Sequence, residues 1–131
     1  MGTPKDRNTR IIIAGSRSIS GEKAEFAVDG AMSQFTAGGA NRGMYEIVTG
    51  GARGIDQAGK EWAERYDCEY TEFQPDGDVA GRAAGPQRNA EMAEYADALV
   101  AVWDGESNGT RNMIGQALDY GLDVYVSVVD E

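Results

Sequence analysis

The sequence contains no histidine, a single cysteine and no long apolar run. Without histidine, Ser-His-Asp catalysis, Cys-His catalysis and histidine metal sites are excluded, so any proton transfer falls to Asp, Glu, Tyr, Lys or water. A lone Cys68 excludes an internal disulfide. No apolar run approaches the roughly 20 residues that span a membrane, and the polar residues 1–10 lack the apolar core of a signal peptide. We therefore expect a cytoplasmic protein with no metal site and no membrane partner.

Negative charge is abundant, because 22 acidic residues against 12 basic ones give a net charge of −10. A broad acidic surface disfavours non-specific binding to DNA or RNA, so we do not expect a nucleic-acid partner. Most of the basic residues are arginines, and many lie in or beside glycine-rich turns: Arg17, Arg53, Arg82, Arg88 and Arg111. Arginines gathered at turns of an acidic protein suggest a small anionic ligand, although each could be an ordinary solvated loop charge.

Residues 47–56, IVTGGARGID, consist of an apolar run, a Gly-Gly turn and the start of a helix. Small or apolar residues then recur at amphipathic helical spacing, at Ile55, Ala58, Gly59, Trp62, Ala63 and Tyr66. Unpaired N–H groups at a helix start, glycines that admit an anion and the fork of Arg53 together predict a phosphate cradle. The spacing matches neither the dinucleotide nor the Walker pattern. The alternative is a tight connection that needs glycine only for packing.

Five segments have the apolar or alternating character of strands, at residues 11–14, 44–49, 68–73, 97–103 and 123–129. Helices are predicted between them, with Ser20 as a cap, Pro86 as a first helical residue and Gly121 as a terminator. The chain of 131 residues is long enough for one domain, which we place at residues 10–131 after a flexible lead-in at residues 1–9. Strands alternating with helices imply a parallel sheet covered on both faces.

This topology brings four turns to the same edge of the predicted sheet. In a parallel sheet every strand-to-helix turn lies at the carboxyl edge, so residues 15–17, 50–56, 74–89 and 104–110 should lie close together. Open α/β sheets bind ligands at this edge, where the strand order reverses. Four turns rich in Gly, Arg, Ser and Asn therefore predict a binding site there.

The quoted turns resemble those of the SLOG superfamily, which joins the Smf/DprA proteins and the LOG-type "lysine decarboxylase-like" proteins. The sequence is most similar to the YspA-like family of small domains from bacteria and phages. The matching runs are IIIAGSR (11–17), GGARGID (50–56) with WA (62–63), AGPQRN (84–89) with Met92, ADAL (96–99), and Gly109-Thr110 ahead of Ala117. The resemblance implies a Rossmann-like, three-layer α/β/α domain with a mainly parallel five-stranded sheet of order 3-2-1-4-5. It also implies a site for a nucleotide-like ligand, such as AMP, ADP-ribose or NAD.

Carried over by position, the resemblance places these residues at the ligand: Gly15, Ser16, Arg17, Gly50, Gly51, Gly54, Asp56, Arg88, Asn89, Ser107, Gly109 and Thr110. Arg53 and Arg111 join them as guanidinium partners for phosphate. Asp56 and Asp104 are the groups best suited to accept from ribose hydroxyls. Asp56 could instead only stabilise its helix, and Asp104 could be only a turn residue. We expect both tryptophans to pack in the core or at the rim, not to stack on a base.

One departure from the family bears on catalysis. LOG-type phosphoribohydrolases carry Pro-Gly-Gly-x-Gly-Thr-x-x-Glu after the fourth strand, and the corresponding run here is ESNGTRNM, residues 106–113. Met113 stands where the resemblance places the catalytic glutamate, and a thioether cannot act as an acid or base. LOG-type N-glycosidic hydrolysis is therefore in doubt, although Asp56, Asp104 or Glu106 could substitute.

Our principal prediction is a sensor or sequestering module for a small nucleotide-like ligand, working as a homo-oligomer. The first alternative is a nucleotide hydrolase, phosphoribohydrolase-like, that uses an Asp or Glu. The second is a DprA-like protein associated with single-stranded DNA, which the net charge opposes. A fourth possibility is a decayed site whose fold serves only as an interaction surface. The sequence leaves the ligand's identity, the pathway and the existence of any reaction open.

Overall fold

A computed structural model describes residues 7–36, 44–74 and 84–130. The chain alternates strands and helices throughout: β1 (Thr9–Gly15), α1 (Gly21–Phe35), β2 (Tyr45–Thr49), α2 (Ile55–Arg65), β3 (Glu69–Glu72), α3 (Ala84–Tyr95), β4 (Ala98–Trp103), α4 (Asn108–Asp119) and β5 (Asp123–Val128). The predicted loop at 38–43, most of the loop at 74–85 with Arg82, and residues 1–6 of the lead-in lie outside the described residues. In the described ranges, no helix is long and apolar enough to cross a membrane.

The five strands form one sheet in the order β3-β2-β1-β4-β5, and every neighbouring pair is parallel. Ile12 shows the central register, since it lies opposite Val48 of β2 and Leu99 of β4. The predicted α/β fold and strand order are thus confirmed. The chain moves outward in one direction from β1 to β3 and then crosses to β4 on the other side, so the order reverses between β1 and β4.

Two apolar layers cover the two faces of the sheet, because alternate residues of a strand point to opposite faces. The first layer joins Ile11 and Ile13 of β1 to α1 and α2, with Trp62 at its centre. The second joins Ile12 and Ala14 to α3 and α4, and includes Met92 and Met113. The long apolar runs of β1 and β4 are therefore the consequence of burial on both faces.

Of the three residues predicted to mark helix ends, one lies at a different helical position from the one predicted. Helix α3 begins at Ala84, so the prediction of Pro86 as the first helical residue is wrong. Pro86 still lies in the first turn, where a missing N–H removes no helical hydrogen bond. Ser20 occupies the N-cap of α1, but its side chain makes no capping bond. Gly121 follows the C-cap of α4 with a φ of 78°, as expected for a glycine terminator.

Candidate functional site

A cavity of about 570 Å³, here called the main cavity, lies at the carboxyl edge of the sheet. Its walls come from the turn after β1, the turn after β2, the first half of α3, and the start of α4. β1 and β4 are the neighbours at which the strand order reverses, so the cavity occupies the switch point where open α/β sheets bind ligands.

Most of the predicted site residues line the main cavity: Gly15, Ser16, Arg17, Arg53, Asp56, Arg88, Asn89, Ser107, Gly109 and Thr110. The predicted residues Gly50, Gly51, Gly54 and Arg111 are not among its lining residues, nor are the catalytic candidates Asp104 and Glu106. Among the described residues, Asp56 is the only carboxylate that lines this cavity.

Three guanidinium groups belong to the cavity wall, from three separate parts of the chain. Arg17 and Arg53 are exposed, whereas Arg88 is half-buried. Burial lowers the pKa of Arg88, the charge of Asp56 raises it and the charge of Arg17 lowers it. Arg88 and Arg17 are therefore close enough to repel each other, and a bound anion would relieve that repulsion.

Arg88 also has a structural role within the wall. Its Nη1 donates to the carbonyl oxygen of Gly50 at 2.9 Å, and its Nε donates to Oδ1 of Asn89 at 3.1 Å. A Cβ added to Gly50 would lie 2.4 Å from Nη1 of Arg88, so the glycine makes room for the guanidinium. Gly50 thus serves the site indirectly, by seating Arg88.

Asp56, in the first turn of α2, holds the turn after β2 closed. Its Oδ2 accepts from the N–H groups of Gly50 at 2.9 Å and Ala52 at 3.3 Å. The residue is only 6% exposed. Burial raises the pKa of Asp56 to about 6, although the two hydrogen bonds and the charges of Arg88 and Arg17 lower it. Asp56 is thus a turn-stabilising acid that also faces the cavity.

Asp104 has its carboxylate committed to its own turn. Oδ1 accepts from the N–H groups of Glu106 and Ser107, both at 2.8 Å, and from the hydroxyl of Ser107 at 2.9 Å. These bonds lower the pKa of Asp104 to about 2. The geometry therefore favours the turn-residue interpretation of Asp104 over an acceptor for ribose.

Ser16 connects this turn to the turn after β1. The buried Oγ of Ser16 accepts from the N–H of Asp104 at 3.0 Å and lies 3.0 Å from Oγ of Ser107. The hydroxyl of Ser107 has one hydrogen, which can go to Oγ of Ser16 or to the carboxylate of Asp104. These contacts among Ser16, Asp104 and Ser107, here called the hydrogen-bond ring, hold the two turns together.

Asn89 connects α3 to the start of α4. Its Nδ2 donates to the carbonyl oxygen of Gly109 at 3.3 Å and to Oδ1 of Asn112 at 3.0 Å. Because its Oδ1 accepts from Arg88, both ends of the amide have protein partners. We interpret Asn89 as a residue that positions the wall of the cavity.

The start of α4 faces the main cavity through Gly109 and Thr110. The first N–H groups of a helix have no partner within it, and they carry partial positive charge. Ser107 occupies the N-cap but makes no side-chain capping bond. The start of α4 therefore adds backbone donors to the three guanidinium groups.

Gly54 is a packing device for the site. It has a φ of 81°, and an added Cβ would lie 2.8 Å from the carbonyl oxygens of both Arg17 and Ile19. The turns after β1 and β2 therefore touch at Gly54. Gly54 therefore fits the packing interpretation. It does not line the main cavity, although the sequence predicted it as part of the phosphate cradle.

Arg111 lies at the outer surface, and both tryptophans pack as expected. Arg111 is exposed, with its Cζ 5.5 Å from the ring centre of Trp103. Trp103 donates from Nε1 to the carbonyl oxygen of Ser107 at 3.1 Å. Trp62 is buried in the first apolar layer against Tyr66, with ring centres 4.7 Å apart.

The floor of the main cavity is apolar, and none of its residues belongs to the predicted ligand-binding set. Ala14, Met92 and Met113 line the cavity and belong to the second apolar layer, with both methionines 1% exposed. The helical spacing of the two methionines is also typical of core residues. The sequence alone therefore does not show that these side chains form the floor of the cavity. Ser18 and Ala52 also line the cavity.

Comparison with known proteins supports the fold. No family model matches the chain, and no curated protein matches it significantly. DNA processing protein A (DprA) from Streptococcus pneumoniae superposes with a TM-score of 0.71 at 17% identity, over 92% of this chain and 50% of that one. The structural-genomics target TM1055 superposes with a TM-score of 0.62 at 16% identity, over 88% of this chain and 72% of that one. The chain spans about half the length of the DprA structure. It has the same Rossmann-like α/β fold as these two proteins.

Proposed function

We propose that this protein binds a nucleotide or nucleotide-derived phosphate ligand in the main cavity, as a sensor or sequestering module. One observation carries the proposal. Arg17, Arg53 and Arg88 come from three different elements to one cavity, in a protein whose net charge is −10. Such a concentration of positive charge is costly without an anion to share.

The remaining chemistry of the cavity suits the two ends of a nucleotide. Guanidinium forks and the N–H groups at the start of α4 bind phosphate oxygens. The floor of Ala14, Met92 and Met113 offers apolar surface to a base or a sugar face. A volume of about 570 Å³ falls within the usual range for small-ligand sites.

Binding without turnover is favoured by what stands at the catalytic positions. Met113 is buried in the floor, and Asp104 does not line the main cavity, with its Oδ1 bonded to its own turn. The strand order and the motifs in the turns support the further proposal that the chain is a YspA-like member of the SLOG superfamily.

Native mass spectrometry followed by thermal shift against AMP, ADP, NAD and ADP-ribose tests the proposal. We expect a co-purifying nucleotide or a shift of several degrees, which should be lost in Arg53→Gln and Arg17→Gln. Lys23→Gln removes an exposed cation of α1 that does not line the main cavity, and it should keep the response. No bound mass and no shift with any nucleotide would make the main cavity a packing feature of an interaction domain.

A nucleotide hydrolase is the second candidate, and Asp56 is the observation that favours it. A carboxyl that lines the cavity with a pKa of about 6 could exchange a proton near neutral pH. Each nucleotide of the panel is incubated with the purified protein, and the mixture is separated by chromatography. No products should form if the sensor proposal is correct. Product formation that Asp56→Asn abolishes would establish the hydrolase instead.

Single-stranded DNA is a weaker candidate partner, which rests on the fold shared with DNA processing protein A. The net charge of −10 opposes it. Binding of a fluorescent oligonucleotide should be weak at 50 mM salt and absent at 200 mM, because phosphate-backbone binding falls steeply with salt. Tight binding that persists at the higher concentration would favour the DNA-associated alternative.

Self-association into a homo-oligomer also stays a proposal. Several large apolar side chains are exposed: Phe26, Met44, Leu118, Tyr120 and Val128. They could be covered by a second copy, and sedimentation analysis of the purified chain is the direct measurement.

A further inference from the structure

A second cavity of about 500 Å³, here called the side cavity, lies between the first turns of α1 and α2. The main cavity and the side cavity share Ala52 and Arg53 as lining residues. Arg53 is exposed and lines both cavities, so its guanidinium can be reached by a ligand group in either of them.

The two cavities differ in charge. The main cavity has three guanidinium groups and the carboxyl of Asp56. The side cavity has Glu25 and Glu61, with the amide of Gln57 and Arg53 at its border. Apart from Arg53, the described residues that line the side cavity include no cation to bind a second anionic group. Carboxylates, including one paired with an arginine as Glu25 is with Arg65, are good acceptors for hydroxyl groups.

The carboxylates of the side cavity have capacity for such hydroxyls. Glu25 accepts from Arg65 at 3.2 Å, and Glu61 accepts from Gln57 at 3.3 Å. A carboxylate offers about four lone-pair sites, so one hydrogen bond leaves others available. The side cavity is therefore suited to an uncharged moiety with several hydroxyls, which is the chemistry of a sugar.

We propose that the ligand has two parts, with its nucleotide in the main cavity and a sugar-like, hydroxyl-bearing group in the side cavity. Arg53 contacts the phosphate that joins them. The ligand class is then a nucleoside diphosphate linked to a sugar. This inference rests on the proposed nucleotide function and narrows it, because AMP or ADP would fill only the main cavity.

Calorimetric affinities for AMP, ADP and ADP-ribose, measured on the wild type and three variants, test the inference. Gln57→Trp fills the side cavity from an exposed position that does not line the main cavity. Gln34→Trp is the matched control, because Gln34 is exposed on α1 and lines neither cavity. The wild type and the control should bind ADP-ribose roughly tenfold more tightly than ADP, the equivalent of one or two net hydrogen bonds.

Gln57→Trp should lower the affinity for ADP-ribose to that for ADP and leave AMP and ADP unchanged. Glu61→Gln keeps the shape of the side cavity but removes a charged acceptor, and it should weaken ADP-ribose alone by several-fold. Equal binding of ADP and ADP-ribose by the wild type would overturn the two-part ligand and leave the nucleotide proposal standing. A preference for ADP-ribose that survives Gln57→Trp would place the sugar elsewhere. If none of AMP, ADP and ADP-ribose binds, the nucleotide proposal itself fails, and this inference fails with it.

Discussion

Arg88 on α3 donates a hydrogen bond from Nη1 to the carbonyl oxygen of Gly50, 38 residues away along the chain, at 2.9 Å. The same side chain lines the main cavity. One guanidinium therefore holds the wall of the cavity in place and supplies part of its charge, so this position links stability to the proposed ligand binding.

The first prediction concerns this shared role. Arg88→Met should lower the free energy of unfolding by about 1–3 kcal/mol, because the carbonyl of the buried Gly50 loses a charged donor. Urea titration of the ligand-free protein measures it. Arg111→Met is the control, since Arg111 is exposed and lies over Trp103, and it should change the value by less than about 0.5 kcal/mol. Equal effects of the two substitutions would contradict the structural role of Arg88.

The second prediction concerns the hydrogen-bond ring of Ser16, Asp104 and Ser107. Ser16→Ala removes the buried acceptor of the Asp104 N–H, and should cost about 1–3 kcal/mol. Ser20→Ala should cost less than about 0.5 kcal/mol, because the Ser20 side chain makes no capping bond. Chemical denaturation of both variants decides it. A larger loss in Ser20→Ala would mean that Ser20 caps α1 in solution.

The third prediction is a pH dependence of stability from Asp56. Its pKa is about 6 in the folded protein against a reference of 3.8, so the folded state holds the proton more tightly than the unfolded chain. Stability from this group is therefore greatest below about pH 4 and is lost as the pH rises through 6. Relative to Asp56→Asn, the wild type should lose up to about 3 kcal/mol between pH 4 and pH 7. A difference that is constant with pH would contradict the raised pKa.

The fourth prediction tests the floor of the cavity. Met113→Glu places a carboxylate at a position that is 1% exposed, and an unpaired buried charge is costly. We expect a loss of about 2–5 kcal/mol at pH 8 that shrinks at pH 5, because protonation removes the charge. Met44→Glu, at a position 59% exposed, should be nearly neutral at both pH values. Thermal unfolding at the two pH values measures it, and an unchanged melting temperature for Met113→Glu would show that the floor is open to water.

Local patterns in the sequence predict where the strands and helices lie, but they do not predict the order of the strands in the sheet. β1 and β4 are evident as apolar runs because both of their faces are buried. The order β3-β2-β1-β4-β5 is not encoded in any local pattern, since pairing joins residues far apart, and it came only from the family resemblance. The common edge of the four turns followed from parallel topology alone.

The predicted site residues that do not line the main cavity are set apart by local geometry. Asp104 is held by N–H groups two and three residues ahead, a competition that composition does not reveal. Gly54 meets the turn after β1, a contact between distant segments. Arg111 follows Thr110 directly, yet the rotation between successive helical residues carries it out of the cavity and onto Trp103. The family resemblance alone does not show that Thr110 lines the cavity and Arg111 does not.

Within the described ranges, the sheet separates two apolar layers, and only one of them contributes lining residues to the main cavity. Ala14, Met92 and Met113 belong to the layer under α3 and α4, while Trp62 and its neighbours pack on the far side of the sheet. Substitutions under α1 and α2 can therefore accumulate without altering the floor of the main cavity. Substitutions under α3 and α4 reshape that floor directly, so if the proposed ligand binds there, a lineage of such proteins could change it by repacking one layer and leave the other as inherited.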